Sequence, residues 1–191
     1  MHKGVIYFTE INEQKRTGNP GHIAGQKLLK YALWEEYQID LGKEETALGE
    51  YGKPYLKNRP DIHFNITHSG KYAACILADQ EVGIDIQKHE DRNMLGILRL
   101  VVPEKMIREI LDGPDPEKAF YVQWVLREAY IKWTGEGLQK DMRTIPMEQG
   151  TSLLLDLEDG YSGAVWSEKP MEIEWKHTPL NLLDSDASSI I

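Results

Sequence analysis

The sequence predicts an α+β protein in which one helix and three strands occur twice along the chain. Two observations support this fold class. Apolar residues recur at helical spacing over residues 23–37 and again over residues 116–134. After each helix come three short apolar or β-branched runs joined by turn residues. No residue-level repeat relates the two parts, so the duplication is inferred from the order of the elements alone.

The first half begins with a strand over residues 5–9, which are β-branched and aromatic. Residues 15–21 are rich in turn formers, and Asn19-Pro20 is typical of a helix N-cap followed by the first helical residue. The helix over 23–37 is expected to stop near Gly42. Short connections between the next three runs predict an antiparallel meander over residues 62–67, 72–78 and 81–86.

In the second half, residues 103–111 predict a short helix and Asp115-Pro116 predicts the start of a longer one, which ends at Gly135. Three strands are expected at residues 152–157, 161–167 and 171–176, and the polar tail 184–191 is expected to fray. No linker separates the halves. We therefore predict two units, 1–99 and 100–191, that share an extensive interface.

The composition excludes several classes of protein. The chain has 191 residues, of which 41% are hydrophobic and 28% charged, as in ordinary globular domains. Its net charge of −9 disfavours general binding to nucleic acid or to anionic membranes. A single cysteine, Cys75, excludes an internal disulfide framework and fits a reducing compartment. No stretch reaches the roughly 20 apolar residues that span a bilayer, so we expect a cytoplasmic protein.

Three residues of the long helix are candidates for chemistry. Trp124, Glu128 and Lys132 are spaced by four, which places them on one face. One interpretation is an exposed Glu–Lys pair beside a core tryptophan. The neighbouring residues, however, make the helix apolar nearly all round, and buried charges need partners. A metal ion and a phosphate group would supply those partners.

A second candidate is the carboxylate of Asp85. Strand alternation over residues 82–87 places Gly83, Asp85 and Gln87 on one face. Asp85 is either an aspartate at the edge of a half-solvated sheet or a ligand of a hard cation. Mg²⁺ is bound through one or two carboxylates and completes its shell with water and phosphate oxygens. Asp85 and Glu128 together could form such a site.

A third candidate is the turn His68-Ser69-Gly70 after an apolar run. These residues can offer a ring N–H, a hydroxyl and a backbone N–H to phosphate oxygens; the alternative is an ordinary hairpin turn. The sequence contains no Gly-x-Ser-x-Gly, no Gly-x-Gly-x-x-Gly and no P-loop. Phosphate recognition would therefore have to be assembled from separate loops.

Taken in order, these segments resemble the motifs of the surfactin-type 4′-phosphopantetheinyl transferases. The matching segments are Gly52-Lys53-Pro54, Phe64-Asn65-Ile66-Thr67-His68-Ser69-Gly70, Val82-Gly83-Ile84-Asp85-Ile86 and residues 124–138. Any one of these segments alone is weak evidence for the family, but four segments with matching order and spacing are specific to it. The resemblance implies a pseudo-dimer of two helix-plus-three-strand halves. It also implies transfer of 4′-phosphopantetheine from coenzyme A to a serine of an apo acyl or peptidyl carrier protein, with release of 3′,5′-ADP.

The resemblance also implies roles for individual residues. Asp85 and Glu128 would hold Mg²⁺ (or Mn²⁺), and Glu128 would act as general base. Lys132 would contact the α-phosphate and stabilise or protonate the departing 3′,5′-ADP. The phosphates would be bound by His68 and Ser69, and the adenine nucleotide would be flanked by Lys53 and Pro54.

The sequence departs from the family pattern at four positions. Gln87, a further candidate metal ligand, stands where many members have Glu. Arg127 and Thr67 replace a common Lys and a common Ser, and Ile23 replaces one of the basic residues that hold the 3′-phosphate. Nearby cations that could take over that contact are Lys15, Arg16, His22, Lys27 and Lys30.

Two other functions remain open from the sequence. One is a non-catalytic module that binds coenzyme A or a carrier protein, and the other is a Mg²⁺-dependent phosphohydrolase. The sequence does not indicate which carrier protein is modified, whether one of fatty-acid, polyketide or peptide synthesis. We expect a monomer that binds neither nucleic acid nor membrane.

Overall fold

The computed structural model describes residues 1–11 and 19–184. The predicted loop residues 15–18, with Lys15 and Arg16, and the predicted frayed tail from residue 185 lie outside this part. In chain order the elements are β1 (His2–Glu10), α1 (Pro20–Tyr37), β2 (Thr46–Leu48), β3 (Pro54–Leu56), β4 (His63–Ser69), β5 (Tyr72–Ala78), β6 (Val82–Lys88), α2 (Met94–Val101), α3 (Glu104–Leu111), α4 (Pro116–Thr134), β7 (Thr151–Leu154), β8 (Tyr161–Ser167), β9 (Met171–His177) and α5 (Leu180–Asp184). The elements predicted from the sequence do not include β2, β3, α2 or α5.

Local residue types predict the starts of both long helices and the end of the second, but not the end of the first. Helix α1 ends at Tyr37, before the expected Gly42, and Gln38 takes the left-handed conformation that closes it. The side chain of Asn19 accepts a hydrogen bond from the His22 amide at the start of α1. Asp115 does the same for the Lys118 amide at the start of α4, and each helix has proline in its first turn. Helix α4 ends at Gly135, whose φ of 73° lies in the left-handed region. The two N-caps and the C-cap at Gly135 each depend on residues within three or four positions of the helix end.

The strands form two main sheets, which corrects the predicted meander. The first sheet has the order β4-β5-β1-β9 and the second the order β6-β8-β7; β2 and β3 form a separate hairpin. β4 and β5 pair as expected, but β6 belongs to the second sheet, where it pairs antiparallel with β8. β9 crosses in the opposite direction and pairs parallel with β1. A short turn does not determine which sheet the next strand joins.

Each of the predicted halves therefore places one strand in the sheet of the other. α1 packs on β4 and β5 of the first sheet, and α4 packs on β6 and β8 of the second. Between the sheets lies a continuous apolar core, formed by Ile6, Ala74, Ile76 and Ala78 on one side and Val82, Ile84, Ile86 and Val165 on the other. The α+β class is confirmed, and the boundary between residues 99 and 100 stays a prediction.

The junction of the two sheets brings β4, β6 and α4 together. This is the region where the predicted site residues lie. None of the helices in residues 1–11 and 19–184 has the length and apolar character that crossing a membrane requires.

Candidate active site

The site is built where the backbones of β6 and α4 come unusually close. Gly83 makes this approach possible. A Cβ atom at this position would overlap the Ala129 carbonyl oxygen and the Trp133 nitrogen, and would lie 2.9 Å from the Lys132 carbonyl carbon. Only glycine therefore lets the helix lie directly on the strand. The close approach carries the side chains of the last two turns of α4 onto β6.

Lys132 reaches Asp85 across this contact. Its Nζ lies 2.7 Å from Asp85 Oδ1 and donates a second hydrogen bond to the Ile84 carbonyl at 3.1 Å. The Asp85 side chain is only 3% exposed, whereas the lysine side chain is 28% exposed. A buried carboxylate requires such a partner, and the accessible lysine end can also face a ligand.

Two further side chains complete the environment of Asp85. The Thr67 hydroxyl donates to Oδ1 at 3.2 Å, and the Gln87 side-chain amide donates to Oδ2 at 3.0 Å. Both oxygens of the carboxylate are thus held by hydrogen bonds. The side-chain carbonyl oxygen of Gln87 keeps its own acceptor capacity.

A row of side chains on β4 holds this arrangement in register. Asn65 Oδ1, Thr67 Oγ1 and Ser69 Oγ accept hydrogen bonds from the backbone amides of Ile84, Ile86 and Lys88, at 3.0, 3.2 and 2.9 Å. Strands β4 and β6 belong to different sheets, so these side chains replace the usual backbone ladder between them. The two-residue period of the strand places all three on the same face.

The side chains of His68 and Ser69, which are neighbours in the predicted phosphate-binding turn, point to opposite faces of β4. Ser69 lies beside β6, and its oxygen already accepts the Lys88 amide proton. His68 points the opposite way and packs against Gly21 at the start of α1, where an added Cβ would lie 2.6 Å from its Nδ1. Burial against α1, together with the charges of Lys132 and His22, lowers the pKa of His68. The lowered pKa favours the neutral imidazole of His68, which can still offer a ring N–H to a ligand.

Glu128 provides the second carboxylate of the site. Burial raises its pKa above the ordinary value and the nearby Asp85 raises it further, while Lys132 and a hydrogen bond from Trp124 act in the opposite direction. Two carboxylates that repel each other in a partly buried site favour a bound cation. Asp85, Glu128 and the Gln87 carbonyl supply only oxygen donors, which fits Mg²⁺. The described residues contain no larger cluster of His, Cys, Asp and Glu that could hold a metal.

Lys53 and Pro54 line a cavity of about 810 Å³ together with Tyr51, Tyr55 and Trp133. Aromatic and aliphatic surfaces of this kind accept a flat heterocycle. The Lys53 ammonium, however, is directed inward, where it donates hydrogen bonds to Glu81, Val82 and Trp133. The stem of Lys53, not its charge, faces the cavity.

The structure thus brings Asp85, Gln87, Glu128 and Lys132 together, with His68 at their edge. Thr67 and Asn65 were not proposed as site residues from the sequence, although the alternation of polar residues along β4 was visible there. The arrangement can hold a hard cation and a phosphate group side by side. Such a site on a two-sheet α+β fold defines a class of protein that handles phosphorylated ligands.

Comparison with known proteins identifies the family within that class. Residues 81–181 match the family model of the 4′-phosphopantetheinyl transferase superfamily, and the chain belongs to this superfamily. It is 31% identical over 144 residues to the 4′-phosphopantetheinyl transferase Sfp of Bacillus subtilis strain 168, an alignment that covers 73% of this chain. The aligned part is 64% of that relative, so the chain spans less than two thirds of its length.

Two further relatives come from other organisms. The chain is 26% identical over 170 residues to the 4′-phosphopantetheinyl transferase psf-1 of Bacillus pumilus, covering 80% of this chain and 72% of the relative. It is 31% identical over 128 residues to the L-aminoadipate-semialdehyde dehydrogenase-phosphopantetheinyl transferase of Saccharomyces cerevisiae. That alignment covers 58% of this chain and 47% of the yeast protein. The family resemblance and the α+β fold expected from the sequence are therefore confirmed.

Proposed function

We propose that this protein transfers the 4′-phosphopantetheine group of coenzyme A to a serine hydroxyl of an apo acyl or peptidyl carrier protein. The observation that carries the proposal is the contact of Lys132 with Asp85 at 2.7 Å, next to the partly buried Glu128. A cationic donor and two carboxylates are what transfer between phosphate esters requires. The reaction depends mainly on positioning and on neutralising charge.

In the proposed reaction, the phosphoryl group that carries pantetheine is transferred from coenzyme A to the serine. The serine oxygen forms a bond to the phosphorus that carries pantetheine, and the bond from that phosphorus to the bridging oxygen of the pyrophosphate breaks. The leaving group, 3′,5′-ADP, departs with the electron pair. Glu128 accepts the serine proton, directly or through a water molecule. In the metal-free site, burial and the nearby Asp85 raise the pKa of Glu128, which makes its carboxylate a stronger base than an exposed one.

Lys132 acts on the leaving group in this proposal. The charge that develops on the departing phosphate oxygen lies close to its ammonium, which already sits between the strand and the site. When bound at Asp85 and Glu128, Mg²⁺ (or Mn²⁺) would neutralise pyrophosphate charge; Gln87 would contribute its carbonyl oxygen. His68 would donate a ring N–H to a phosphate oxygen. Ser69 retains only its hydroxyl proton for such a contact.

Coenzyme A would extend from this centre along the cavity lined by Lys53 and Pro54. The lysine stem and the proline ring offer apolar surface to the adenine nucleotide. Of the basic residues near the start of α1, His22 directly follows Gly21, against which His68 packs, and this position makes it a candidate for the 3′-phosphate. We also propose that the protein acts as a monomer in the cytoplasm, where Cys75 stays a free, buried thiol.

The deciding experiment is incubation with coenzyme A, Mg²⁺ and a panel of apo carrier proteins, followed by intact-mass measurement. We expect one carrier to gain a single phosphopantetheine, and a carrier whose acceptor serine is replaced by alanine to gain none. Binding of coenzyme A without any transfer would instead support a non-catalytic module. Cleavage of coenzyme A without a carrier would support a phosphohydrolase.

A further inference from the structure

The ammonium group of Lys53 has no proton left for a ligand. Its Nζ donates to Glu81 Oε2 at 2.6 Å, to the Val82 carbonyl at 3.1 Å and to the Trp133 carbonyl at 2.9 Å. A lysine ammonium carries three donors, so its capacity is filled inside the chain. The side chain is 17% exposed, which leaves little room for exchange of these partners with solvent.

The two carbonyl acceptors belong to the two elements that carry the site. Val82 is the first residue of β6, three residues before Asp85, and Trp133 directly follows Lys132 in the last turn of α4. A cation at the carboxyl end of a helix is favourable, because it meets unpaired carbonyls and the negative end of the helix dipole. Lys53 therefore joins the end of α4 to the beginning of β6.

Two further contacts keep Lys53 in place. Its stem packs over the left-handed end of α4, since a Cβ atom added at Gly135 would lie 3.3 Å from the Cβ of Lys53. Glu81 is held on its other side by His63, whose Nδ1 lies 3.1 Å from Glu81 Oε1. His63 and Lys53 together lower the pKa of Glu81 to about 2, so this acceptor stays charged.

We propose that Lys53 is a positioning residue whose ammonium sets the distance between α4 and β6, and through it the contact of Lys132 with Asp85. The ammonium is thus not a ligand of the coenzyme A phosphates. The catalytic consequence rests on the function proposed above, whereas the structural role does not. Loss of the three hydrogen bonds would leave the Trp133 and Val82 carbonyls unpaired and let the end of α4 move.

The test compares Lys53→Met, which keeps the length of the stem but has no donors, with Lys53→Arg and Glu81→Gln. The matched control is Lys57→Met, just after β3, where the lysine side chain is 53% exposed and pairs with the exposed Glu45. Transfer kinetics give kcat and the KM for coenzyme A. Amide hydrogen exchange at Gly135, whose N–H donates to the Ile131 carbonyl, reports on the end of α4 without requiring activity.

For Lys53→Met we expect kcat to fall about 10- to 100-fold, with the KM for coenzyme A unchanged within about twofold, because misplacement acts on the transition state. Lys53→Arg should recover part of the rate, since a guanidinium can donate to the same carbonyls. Exchange at Gly135 should be faster in Lys53→Met and unchanged in Lys57→Met. Glu81→Gln, which keeps both carbonyl contacts, should show a smaller fall in kcat with the same KM.

Two kinetic results would overturn the inference. A rise of about tenfold or more in KM with kcat retained would make the ammonium a ligand of coenzyme A. Unchanged kcat and KM in folded Lys53→Met would reduce its role to local stability. If Lys53→Met does not fold, Glu81→Gln is judged by the same criteria. If the wild-type protein shows no transfer, the proposed function fails, and unchanged exchange at Gly135 alone then refutes the structural role.

Discussion

Gly83 lies where β6 passes beneath the last two turns of α4, and its replacement by alanine tests the geometry of the whole site. The added methyl group would overlap two backbone atoms of α4 and lie 2.9 Å from a third, whereas ordinary contacts begin at 3.4 Å. The helix would have to move away by about 1 Å, because the overlap with the Ala129 carbonyl oxygen is deeper than the contact with the Lys132 carbonyl carbon. No side-chain rotation can relieve an overlap with backbone, so the whole turn that carries Lys132 must shift.

The cost should lie at the upper end of what overpacking produces. Insertion of one methyl group into a packed core costs about 1–3 kcal/mol, and obstruction by three backbone atoms of α4 favours about 3 kcal/mol. For a chain of this length that loss corresponds to a fall in Tm of about 6–12 °C. The contact of Lys132 with Asp85 at 2.7 Å would not survive the shift, so kcat should also fall, by about 10- to 100-fold.

Thermal unfolding followed by circular dichroism, together with transfer kinetics, measures both effects. Gly42→Ala is the matched control, because its added Cβ would meet only the flexible side chain of Asp40 at 3.3 Å. The control should change Tm by no more than about 3 °C in either direction. A Gly83→Ala protein with the Tm and kcat of the wild type would show that α4 does not lie on β6 as closely as described.

Four other substitutions test individual side chains. Glu128→Gln should raise Tm at pH 7.5 without metal, and this gain in Tm should shrink toward pH 4. The pKa of Glu128 is raised in the folded protein, so its ionised form destabilises the fold at neutral pH, whereas its protonated form at low pH does not. An equal gain at both pH values would contradict this. Lys132→Ala should lower kcat by about 100- to 10,000-fold in protein that circular dichroism shows to be folded; wild-type turnover would exclude its role. Gln87→Glu should lower the Mg²⁺ concentration needed for half-maximal rate, and an unchanged requirement would place residue 87 outside the metal shell. Thr67→Val should cost about 1–3 kcal/mol in urea unfolding, since the Ile86 amide loses its acceptor and Asp85 loses a donor.

Much of the local structure could be predicted from residue types. Asn19 and Asp115 cap the two long helices, and Gly135 ends the second one in the left-handed conformation. Each of these signals acts over three or four residues, which is why sequence reasoning reaches them. The hairpin of β4 and β5 belongs to the same group, because its strands are adjacent in sequence and joined by a tight turn.

The candidate site was predictable in its members but not in its contacts. The four-residue spacing of Glu128 and Lys132 and the alternation around Asp85 show which side chains share a face, and the ordered motifs show which of them belong together. Neither pattern indicates that Ser69 accepts the Lys88 amide or that the Lys53 ammonium points away from the cavity. Those directions depend on segments far apart in the chain.

By itself, the sequence determined the α+β class, the two long helices and the family. The tertiary structure decided that β6 and β9 exchange sheets, so that Asp85 lies against a helix that begins about thirty residues later. Pairing of such distant strands is selected by the apolar faces that the two sheets bury against each other, and by the one glycine that lets α4 reach β6. A strand pattern specifies which of its faces is apolar, whereas the partner that covers this face is chosen only when the whole chain packs.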